Sequence, residues 1–314
     1  MVPDLAIRPY QDTDEEPVLA LLAASLGKTV DDRYRDFFRW KHLENPFGRS
    51  FMWVGVIDER IVGFRSFLRW RFVDPGGEPV DAVRAVDTAT HPDARGAGVF
   101  RTLTMHGLDE MRGAGVSFVF NTPNDQSRPG YLKMGWRIEG RVPVKVRPRS
   151  LPALWRMARA RQPAEAWSLP TTAGEPIDAV AEQADLPTRA PSGRLSTDRS
   201  APFVRWRYGG CADVASVAVR AGDGAVVVRF RARGAAVECT VGDVLGRPSE
   251  RLAGAAVRRA MRAGPADYAI AAAGSAIGGM VRVSSLGPIQ TRRDLSSTPC
   301  QLPLHLSLGD VELL

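Results

Sequence analysis

Apolar and polar residues follow two different periods along the first half of the chain. Apolar positions recur every three or four residues over 14–26 and 32–41, and again after Gly98, which predicts three amphipathic helices. Short runs rich in β-branched and aromatic residues predict strands at residues 5–9, 51–57, 61–72, 81–90, 117–122 and 136–146. A further short helix fits between Pro129 and Gly135. This succession is typical of the α/β (α+β) class, in which helices flank a central twisted mixed sheet.

The second half of the chain repeats this order of elements. Phe38-Arg39-Trp40-Lys41 is echoed by Val204-Arg205-Trp206-Arg207, and each is followed by a turn and two strands around an Asp-containing hairpin. A strand at 235–241, a helix at 249–263 and a strand at 268–272 then follow in the same order. The repetition predicts a second domain of the same architecture.

Residues 149–170 differ in character from both halves. They contain two tryptophans and four arginines and show little periodicity beyond one short helix. We predict an inter-domain connector that packs against a domain. The alternative is an interfacial amphipathic helix that contacts a membrane or a partner. The expected organisation is a first domain at 1–148, the connector at 149–170 and a second domain at 171–314.

Composition and charge place the chain among ordinary globular proteins. Of its 314 residues 44% are hydrophobic and 25% are charged, and the net charge is +7. Residues 1–148 carry 21 Lys and Arg against 20 Asp and Glu, whereas residues 149–314 carry 21 against 15. A basic second half is compatible with nucleic acid or an acidic surface. However, only four of the 42 basic residues are lysine, so a general arginine bias explains the excess better, and we expect no nucleic-acid partner.

The cysteines and the apolar runs bear on the compartment of the protein. Cys211, Cys239 and Cys300 form no Cys-x-x-Cys pair, which argues against a disulfide framework and a zinc site. Reduced thiols are typical of a cytoplasmic protein, and no metal is expected. The N-terminus is acidic where a signal peptide would be apolar, and no run of 18 apolar residues predicts a transmembrane segment.

A glycine-rich turn joins the predicted strand at 81–90 to the helix after Gly98. Its sequence is Arg95-Gly96-Ala97-Gly98-Val99-Phe100. A helix that begins on such a turn leaves backbone N–H groups without intrahelical partners, and its dipole adds about half a positive charge there. The turn therefore predicts an anion-binding cradle, and phosphate is the usual anion at such a site. The alternative is a plain strand-to-helix connection that needs glycine in order to turn.

Residues 82–141 resemble the acyl-CoA-binding core of the GNAT superfamily of N-acyltransferases, because a strand, this turn, a helix, a strand, an Asn-rich turn and a tyrosine follow one another. The family pattern is Arg or Gln, two residues, Gly, one residue, and Gly or Ala. Arg95 and Gly98 match this pattern, and Phe100 stands at its last position. The resemblance implies two GNAT-like mixed-sheet domains, with acetyl-CoA bound by the catalytic first domain.

The resemblance also implies which residues hold acetyl-CoA. The pyrophosphate is expected at consecutive backbone amides and the arginine side chains beside them, at Arg95, Gly96, Ala97, Gly98, Val99, Phe100 and Arg101. The pantetheine arm is expected along a strand that a β-bulge splays from its neighbour, at Thr88, Ala89 and Thr90. Asn121 and Asn124 are expected to contact the pantetheine or to order their loop, although Asn next to Pro123 also simply favours a turn.

Two residues are candidates for catalysis by the same resemblance. Tyr131 is expected to protonate the departing thiolate, since a phenol and the thiol of coenzyme A have comparable basicity, and the alternative is packing beside Trp136. Asp87 is expected to act as the general base or to orient the acceptor. It is alternatively a structural carboxylate paired with Arg84 or Arg101.

Several other residues are weaker candidates for the site. A free carboxylate at Leu314 is a second possible base. The four histidines show no ligand spacing and are expected to be structural or at the surface: His42, His91, His106 and His305. Three aromatic residues either line the acceptor cleft or pack in the core: Trp40, Phe47 and Trp53.

The sequence therefore predicts an N-acyltransferase that moves an acetyl group from acetyl-CoA to a primary amine on a small molecule or peptide. The amine attacks directly, since no Cys or Ser–His pair suggests a covalent intermediate. Residues 243–248 replace the phosphate turn in the second copy with one glycine, a proline and Asp243, so this copy is expected to be degenerate and without acyl-CoA. A homodimer is compatible with these features. The alternative function is a non-catalytic acyl-CoA sensor or scaffold.

Overall fold

Two β-sheets with helices packed on them make up the part of the chain that the structure describes. The structure is a computed structural model and describes residues 5–27, 29–160, 162–184 and 193–311. The strands are β1 (Ala6–Pro9), β2 (Phe51–Ile57), β3 (Arg60–Val73), β4 (Pro79–Thr90), β5 (Phe118–Asn121), β6 (Arg137–Arg141), β7 (Val144–Pro148), β8 (Leu195–Thr197), β9 (Val217–Ala221), β10 (Gly224–Arg233), β11 (Ala236–Leu245), β12 (Tyr268–Ala272), β13 (Val281–Val283), β14 (Ile289–Asp294) and β15 (Leu304–His305). The helices are α1 (Glu15–Leu26), α2 (Asp32–Leu43), α3 (Val99–Gly113), α4 (Arg128–Lys133), α5 (Leu151–Arg159), α6 (Ala201–Gly209), α7 (Glu250–Ala263) and α8 (Leu308–Val311).

The mixed α/β class predicted from the sequence is confirmed, and the two sheets share one strand order. The first sheet runs β1-β2-β3-β4-β5-β14-β6, and β8 and β15 extend it beyond β3. The second runs β9-β10-β11-β12-β7-β13. Each sheet has a central parallel pair, β4 with β5 and β11 with β12, between antiparallel neighbours. A second parallel pair, β8 with β15, lies at the side of the first sheet. The elements therefore recur in space as well as in sequence.

The two sheets exchange one equivalent strand. Strand β7 pairs with β12 and β13 in the second sheet, whereas β14 pairs with β5 and β6 in the first. The domain limits that the sequence suggests, at residues 148 and 171, stay a prediction. The sheets themselves do not follow those limits, because each contains a strand from the other half of the chain. The exchange ties the halves together through backbone hydrogen bonds.

The aromatic residues considered for the acceptor cleft pack in the core instead. Trp40 and Trp53 are buried, and Trp53 lies under α3, where its ring leaves room for no side chain at Gly107. Phe47 stacks on Phe203 with ring centroids 5.2 Å apart. Helix α3 packs on this part of the first sheet through its apolar face, which includes Leu103, Leu108 and Met111. The helix contacts β2, β3 and β4, and its first residue, Val99, lies against Gly63 of β3.

The segment predicted as a connector runs along the second sheet. After α5, the amides of Glu165 and Leu169 donate to the carbonyl oxygens of Ala232 and Phe230 in β10, at 2.8 Å each. Helix α5 leaves Leu151 and Trp155 largely exposed. None of the helices in the described residues has the length and hydropathy needed to span a bilayer.

Candidate active site

The first sheet opens into a cleft where β4 and β5 part. These strands pair only from Ala82 with Phe118 to Arg84 with Phe120, after which β4 continues to Thr90 and β5 ends at Asn121. The space between them is a cleft of about 240 Å³. Several predicted site residues line this cleft together: Asp87, Thr88, Asn121, Asn124 and Tyr131.

A β-bulge in β4 shapes this cleft. Arg65 of β3 is paired with Thr88 and Phe67 with Ala85, so Ser66 faces two residues of β4, Val86 and Asp87. The Ser66 hydroxyl donates to the Asp87 carbonyl oxygen at 3.1 Å, and Arg65 Nη1 donates to that of Val86 at 2.8 Å. A bulge locally bends and twists its strand. Here it coincides with the point at which β4 leaves β5.

The glycine-rich turn has the backbone geometry of an anion cradle. Gly96 and Gly98 have φ angles of 77° and 85°, a left-handed conformation that favours glycine, and no atom lies within 4 Å of a Cβ built on either. In the part of the chain that the structure describes, the amides of residues 96–101 donate no hydrogen bond. Donors that face open space at a helix N-terminus fit a diphosphate. The side chains of Arg95 and Arg101 are exposed beside them.

The side chains of Val99 and Phe100, the first two residues of α3, pack against the protein. Val99 is buried against β3, where a Cβ added to Gly63 would lie 2.5 Å from Val99 Cγ1. The Phe100 ring packs edge-on against Tyr131, with centroids 5.7 Å apart. The family pattern has Gly or Ala where this chain has Phe100. The extra aromatic ring packs against Tyr131 and not on the unbonded amides of the turn.

Tyr131 joins the cleft to a buried arginine. Its ring packs against Trp136 as well as Phe100, and its hydroxyl accepts a hydrogen bond from Arg65 Nη2 at 3.1 Å. Arg65 is fully buried, and its guanidinium carbon lies 4.2 Å from the centroid of the Phe67 ring. The same side chain therefore holds both the bulge carbonyl and the tyrosine hydroxyl. Our sequence reasoning missed Arg65, although an arginine inside the apolar run Gly-Phe-Arg-Ser-Phe-Leu was a usable signal.

Asp87 is held by two side chains from α2. Its Oδ2 atom lies 2.8 Å from Lys41 Nζ and 2.9 Å from His42 Nε2. The alternative pairing with Arg84 or Arg101 is wrong, because Arg84 donates instead to the Val311 carbonyl oxygen at 2.6 Å and Arg101 is at the surface. Helix α2 supplies the partners because its residues 41 and 42 face the sheet.

The ionisation of this cluster follows from burial and pairing. Burial by itself would raise the pKa of Asp87, but the charge of Lys41 and the hydrogen bond from His42 lower it well below its usual range. Burial lowers the pKa of Lys41 and of His42. An ionised Asp87 can only accept hydrogen bonds, so we assign the hydrogen of the neutral His42 ring to Nε2. The Nδ1 atom then accepts a hydrogen bond from the Ser50 hydroxyl at 2.9 Å. His42 is thus structural, as expected, but it touches a residue of the cleft.

The remaining predicted residues lie around the cleft in different ways. Asn121 is buried, and its side-chain oxygen accepts from the Thr291 hydroxyl of β14. The side-chain oxygen of Asn124 accepts from the Ser127 amide and hydroxyl at 2.9 Å each, so it orders the loop before α4. Thr88 and Thr90 are half-buried, whereas Ala89 is buried. Leu314 lies outside the described residues.

One family model matches the half of the chain that contains this cleft. A family model described as an acetyltransferase (GNAT) domain matches residues 6–138, which contain the glycine turn and Tyr131. A search of curated proteins finds no match to the chain.

Solved structures of similar fold span most of the chain. A probable N-acyltransferase from Enterococcus faecalis V583 is 11% identical with a TM-score of 0.65, over 93% of this chain and 73% of that one. A GCN5-related N-acetyltransferase from Anabaena variabilis is 13% identical with a TM-score of 0.63, over 93% and 73%. Eis1 from Mycobacterium abscessus is 13% identical with a TM-score of 0.57, over 93% and 74%. At these identities the likeness shows a shared fold across both sheets.

Proposed function

We propose that this chain, whose residues 6–138 match a family model described as an acetyltransferase (GNAT) domain, transfers an acetyl group from acetyl-CoA to a primary amine. One observation carries the proposal. The unbonded amides of residues 96–101 and the open cleft at the β4–β5 splay are joined by the contact between Phe100 and Tyr131. This contact supports the proposal that a diphosphate site lies next to a proton donor.

The proposed cosubstrate site follows from this arrangement. The amides of residues 96–101 would hold the pyrophosphate, and the exposed Arg95 and Arg101 side chains would add positive charge. The pantetheine arm would run along β4 at Thr88, Ala89 and Thr90, where β5 no longer pairs with it. Asn121 would line the arm, and Asn124 would act through the loop that it orders.

The proposed chemistry divides between Tyr131 and Asp87. Tyr131 donates its hydroxyl proton to the leaving thiolate, and the Arg65 guanidinium at 3.1 Å stabilises the negative charge that forms on the phenol oxygen. Asp87, ionised and held by Lys41 and His42, orients the attacking amine through its exposed edge. An anion with so low a proton affinity is a weak general base, so we assign Asp87 to positioning and expect solvent to take the amine's proton.

The acceptor and the setting of the enzyme are also part of the proposal. The acceptor is a primary amine on a small molecule or peptide, and attack is direct. The second copy binds no acyl-CoA, because Asp243 stands in its cleft and Pro248 in the turn that follows. A cytoplasmic location and a homodimer stay predictions.

The test combines binding and turnover on the full chain. Acetyl-CoA is titrated by calorimetry and then incubated with a panel of polyamines, amino sugars, amino acids and short peptides. We expect binding, and release of free thiol in equal amount with acetylated amine detected by mass spectrometry. Binding without product from any amine would favour the alternative of an acyl-CoA sensor or scaffold. Absence of binding would overturn both.

A further inference from the structure

The second sheet contains a cleft at the position equivalent to the first. Strands β11 and β12 pair in parallel only from Glu238 with Tyr268 to Thr240 with Ile270, after which β11 continues to Leu245. A register shift against β10 lies two residues beyond this pairing, at Gly242. The opening is a cavity of about 470 Å³, which we call the second cleft and define by Ser196, Arg199, Asp243, Arg247, His305 and Ser307.

The second cleft is not shaped for a nucleotide diphosphate. The turn that leads to α7 packs tightly on β10, where a Cβ added to Gly224 would clash with the Leu245 carbonyl and lie 2.6 Å from Pro248 Cδ. The guanidinium of Arg199 is bonded to Asp243 and to Asp310, so its charge is already balanced. The cleft therefore keeps the splay of the first site without its open amide cradle.

Two buried hydroxyl groups in the second cleft have no hydrogen-bond partner. Ser196 and Ser307 are only 5% and 4% exposed, and in the described part of the chain neither Oγ atom meets a donor or acceptor. An unsatisfied buried polar group costs on the order of 1–3 kcal/mol. Both residues line the second cleft, so a ligand with hydroxyl or carbonyl groups would satisfy each hydroxyl once its side chain turns into the cleft.

A second, more basic cavity lies beside this cleft. It has a volume of about 530 Å³ and shares two lining residues, Gly274 and His305, with the second cleft. We call it the arginine cavity, because Arg141, Arg194 and Arg282 line it. None of these three forms an ion pair with any described residue, whereas the one carboxylate of the cavity, Glu139, is paired with Arg137.

The arginine cavity also presents a buried donor. Gln290 is 7% exposed, and its Nε2 atom finds no acceptor in the described residues. The three guanidinium groups lack a carboxylate partner in the described residues, although Arg141 donates to the Gly287 carbonyl oxygen. Together with the unused amide N–H they favour a ligand group rich in acceptors, such as a carboxylate or a phosphate. The two cavities thus differ in character, with hydroxyl groups at one end and positive charge at the other.

We propose that these two neighbouring cavities together bind a small hydroxylated organic anion. Its carboxylate or phosphate lies among Arg141, Arg194 and Arg282, and its hydroxyl groups reach Ser196 and Ser307. The site is separate from the acetyl-CoA cleft of the first sheet, and its existence does not depend on the acetyltransferase activity.

The test is calorimetric titration of the full chain at low ionic strength with citrate, with glycerol 3-phosphate and with neutral glycerol. We expect one-to-one binding of at least one anion and none of glycerol. The double variant Ser196→Ala/Ser307→Ala should weaken that binding about tenfold or more, since two hydrogen bonds are lost. It should not lower the stability of the free protein, because neither hydroxyl has a partner to lose. Arg194→Gln/Arg282→Gln should weaken binding at least as much.

Matched variants separate a specific site from general effects. Thr104→Val removes another buried hydroxyl without a partner, and Arg262→Gln removes a surface charge elsewhere; both should bind the anion as the wild type does. The proposal is overturned if neither anion binds, or if the serine and arginine variants bind unchanged. It is equally overturned if the control variants lose as much affinity, or if saturating acetyl-CoA displaces the anion, since the ligand would then occupy the first cleft.

Discussion

The indole N–H of Trp40 donates to the carbonyl oxygen of Trp206 at 2.7 Å, and the indole N–H of Trp206 donates back to that of Trp40 at 2.8 Å. Their rings stack with centroids 5.3 Å apart. The two tryptophans occupy the same place in the repeated tetrapeptides of α2 and α6. The echo in the sequence therefore marks a local two-fold contact at which the two halves of the chain meet.

Replacing Trp206 by Phe should destabilise this contact. The variant loses one buried hydrogen bond, leaves the Trp40 carbonyl unsatisfied and creates a void beside the Trp40 ring. We expect the free energy of unfolding to fall by about 2 kcal/mol, measured by urea denaturation. Trp155→Phe, at an exposed position on α5, is the control and should change it by less than about 0.5 kcal/mol. Equal effects of the two variants would contradict the role given to the contact.

Much of the fold could be predicted from local patterns, because burial imposes a period on each element. The helix after Gly98, the strands of the first half and strands β9 to β12 of the second follow from where apolar residues recur, whereas β8, β13, β14 and β15 were not predicted. The exchange of β7 and β14 could not be predicted in this way. Both are short strands between turns, and their local pattern is the same whichever sheet they join. Only long-range pairing decides that choice.

The candidate site shows the same division between local and long-range information. The glycine turn carries a local signal and Tyr131 follows from the family resemblance, so both are candidates that the sequence already offers. The partners of Asp87 come from α2, more than 40 residues away, and Arg65 reaches Tyr131 from another strand. Such pairs depend on which helix face meets which strand. The sequence indicates such pairs only indirectly, through polar residues inside apolar segments, such as Arg65 and Lys41.

Tyr131→Phe should lower turnover and spare binding. The variant keeps the ring contacts with Phe100 and Trp136 but loses the hydroxyl that Arg65 holds. We expect kcat to fall on the order of 100-fold, whereas the Kd for coenzyme A changes less than about twofold. Steady-state kinetics and calorimetry measure the two quantities. Tyr10→Phe removes a phenol hydroxyl without a partner in the described residues and should leave both unchanged. A parallel loss of kcat and affinity in Tyr131→Phe would count against an acid role.

Gly98→Asp and Gly98→Asn together test the anion cradle. Both variants place a side chain of the same shape at a φ angle of 85°, so they share the backbone strain and differ in charge. If a diphosphate rests on these amides, the Kd for coenzyme A should be on the order of 100-fold higher for the aspartate than for the asparagine variant. Similar affinities in calorimetry would show that the phosphates bind elsewhere.

Asp87→Asn should destabilise the protein in addition to any effect on activity. The substitution leaves the Lys41 ammonium buried without its counter-ion. Breaking a buried ion pair in this way costs about 3 kcal/mol in free energy of unfolding. The control is Asp81→Asn, because Asp81 pairs with Arg71 at the surface and should contribute less than about 1 kcal/mol. Urea denaturation at pH 7.5 compares them, and a small loss for Asp87→Asn would show that Lys41 is neutral in the folded protein.

His42 should make the stability of the protein depend on pH near neutrality. Burial lowers the pKa of His42 in the folded state, so between the ordinary value of about 6.5 and that lower value only the unfolded chain binds the proton. Stability is therefore complete above about pH 6.5 and decreases as the pH falls, by up to about 1.4 kcal/mol per pH unit. In His42→Gln the glutamine keeps an N–H donor for Asp87 but does not titrate. The free energy of unfolding of the variant should therefore decrease less than that of the wild type between pH 7.5 and 5.5. Part of the decrease should persist, because burial also lowers the pKa of His305. Identical pH profiles for the wild type and the variant would mean that His42 takes up its proton equally well in both states, which its complete burial argues against.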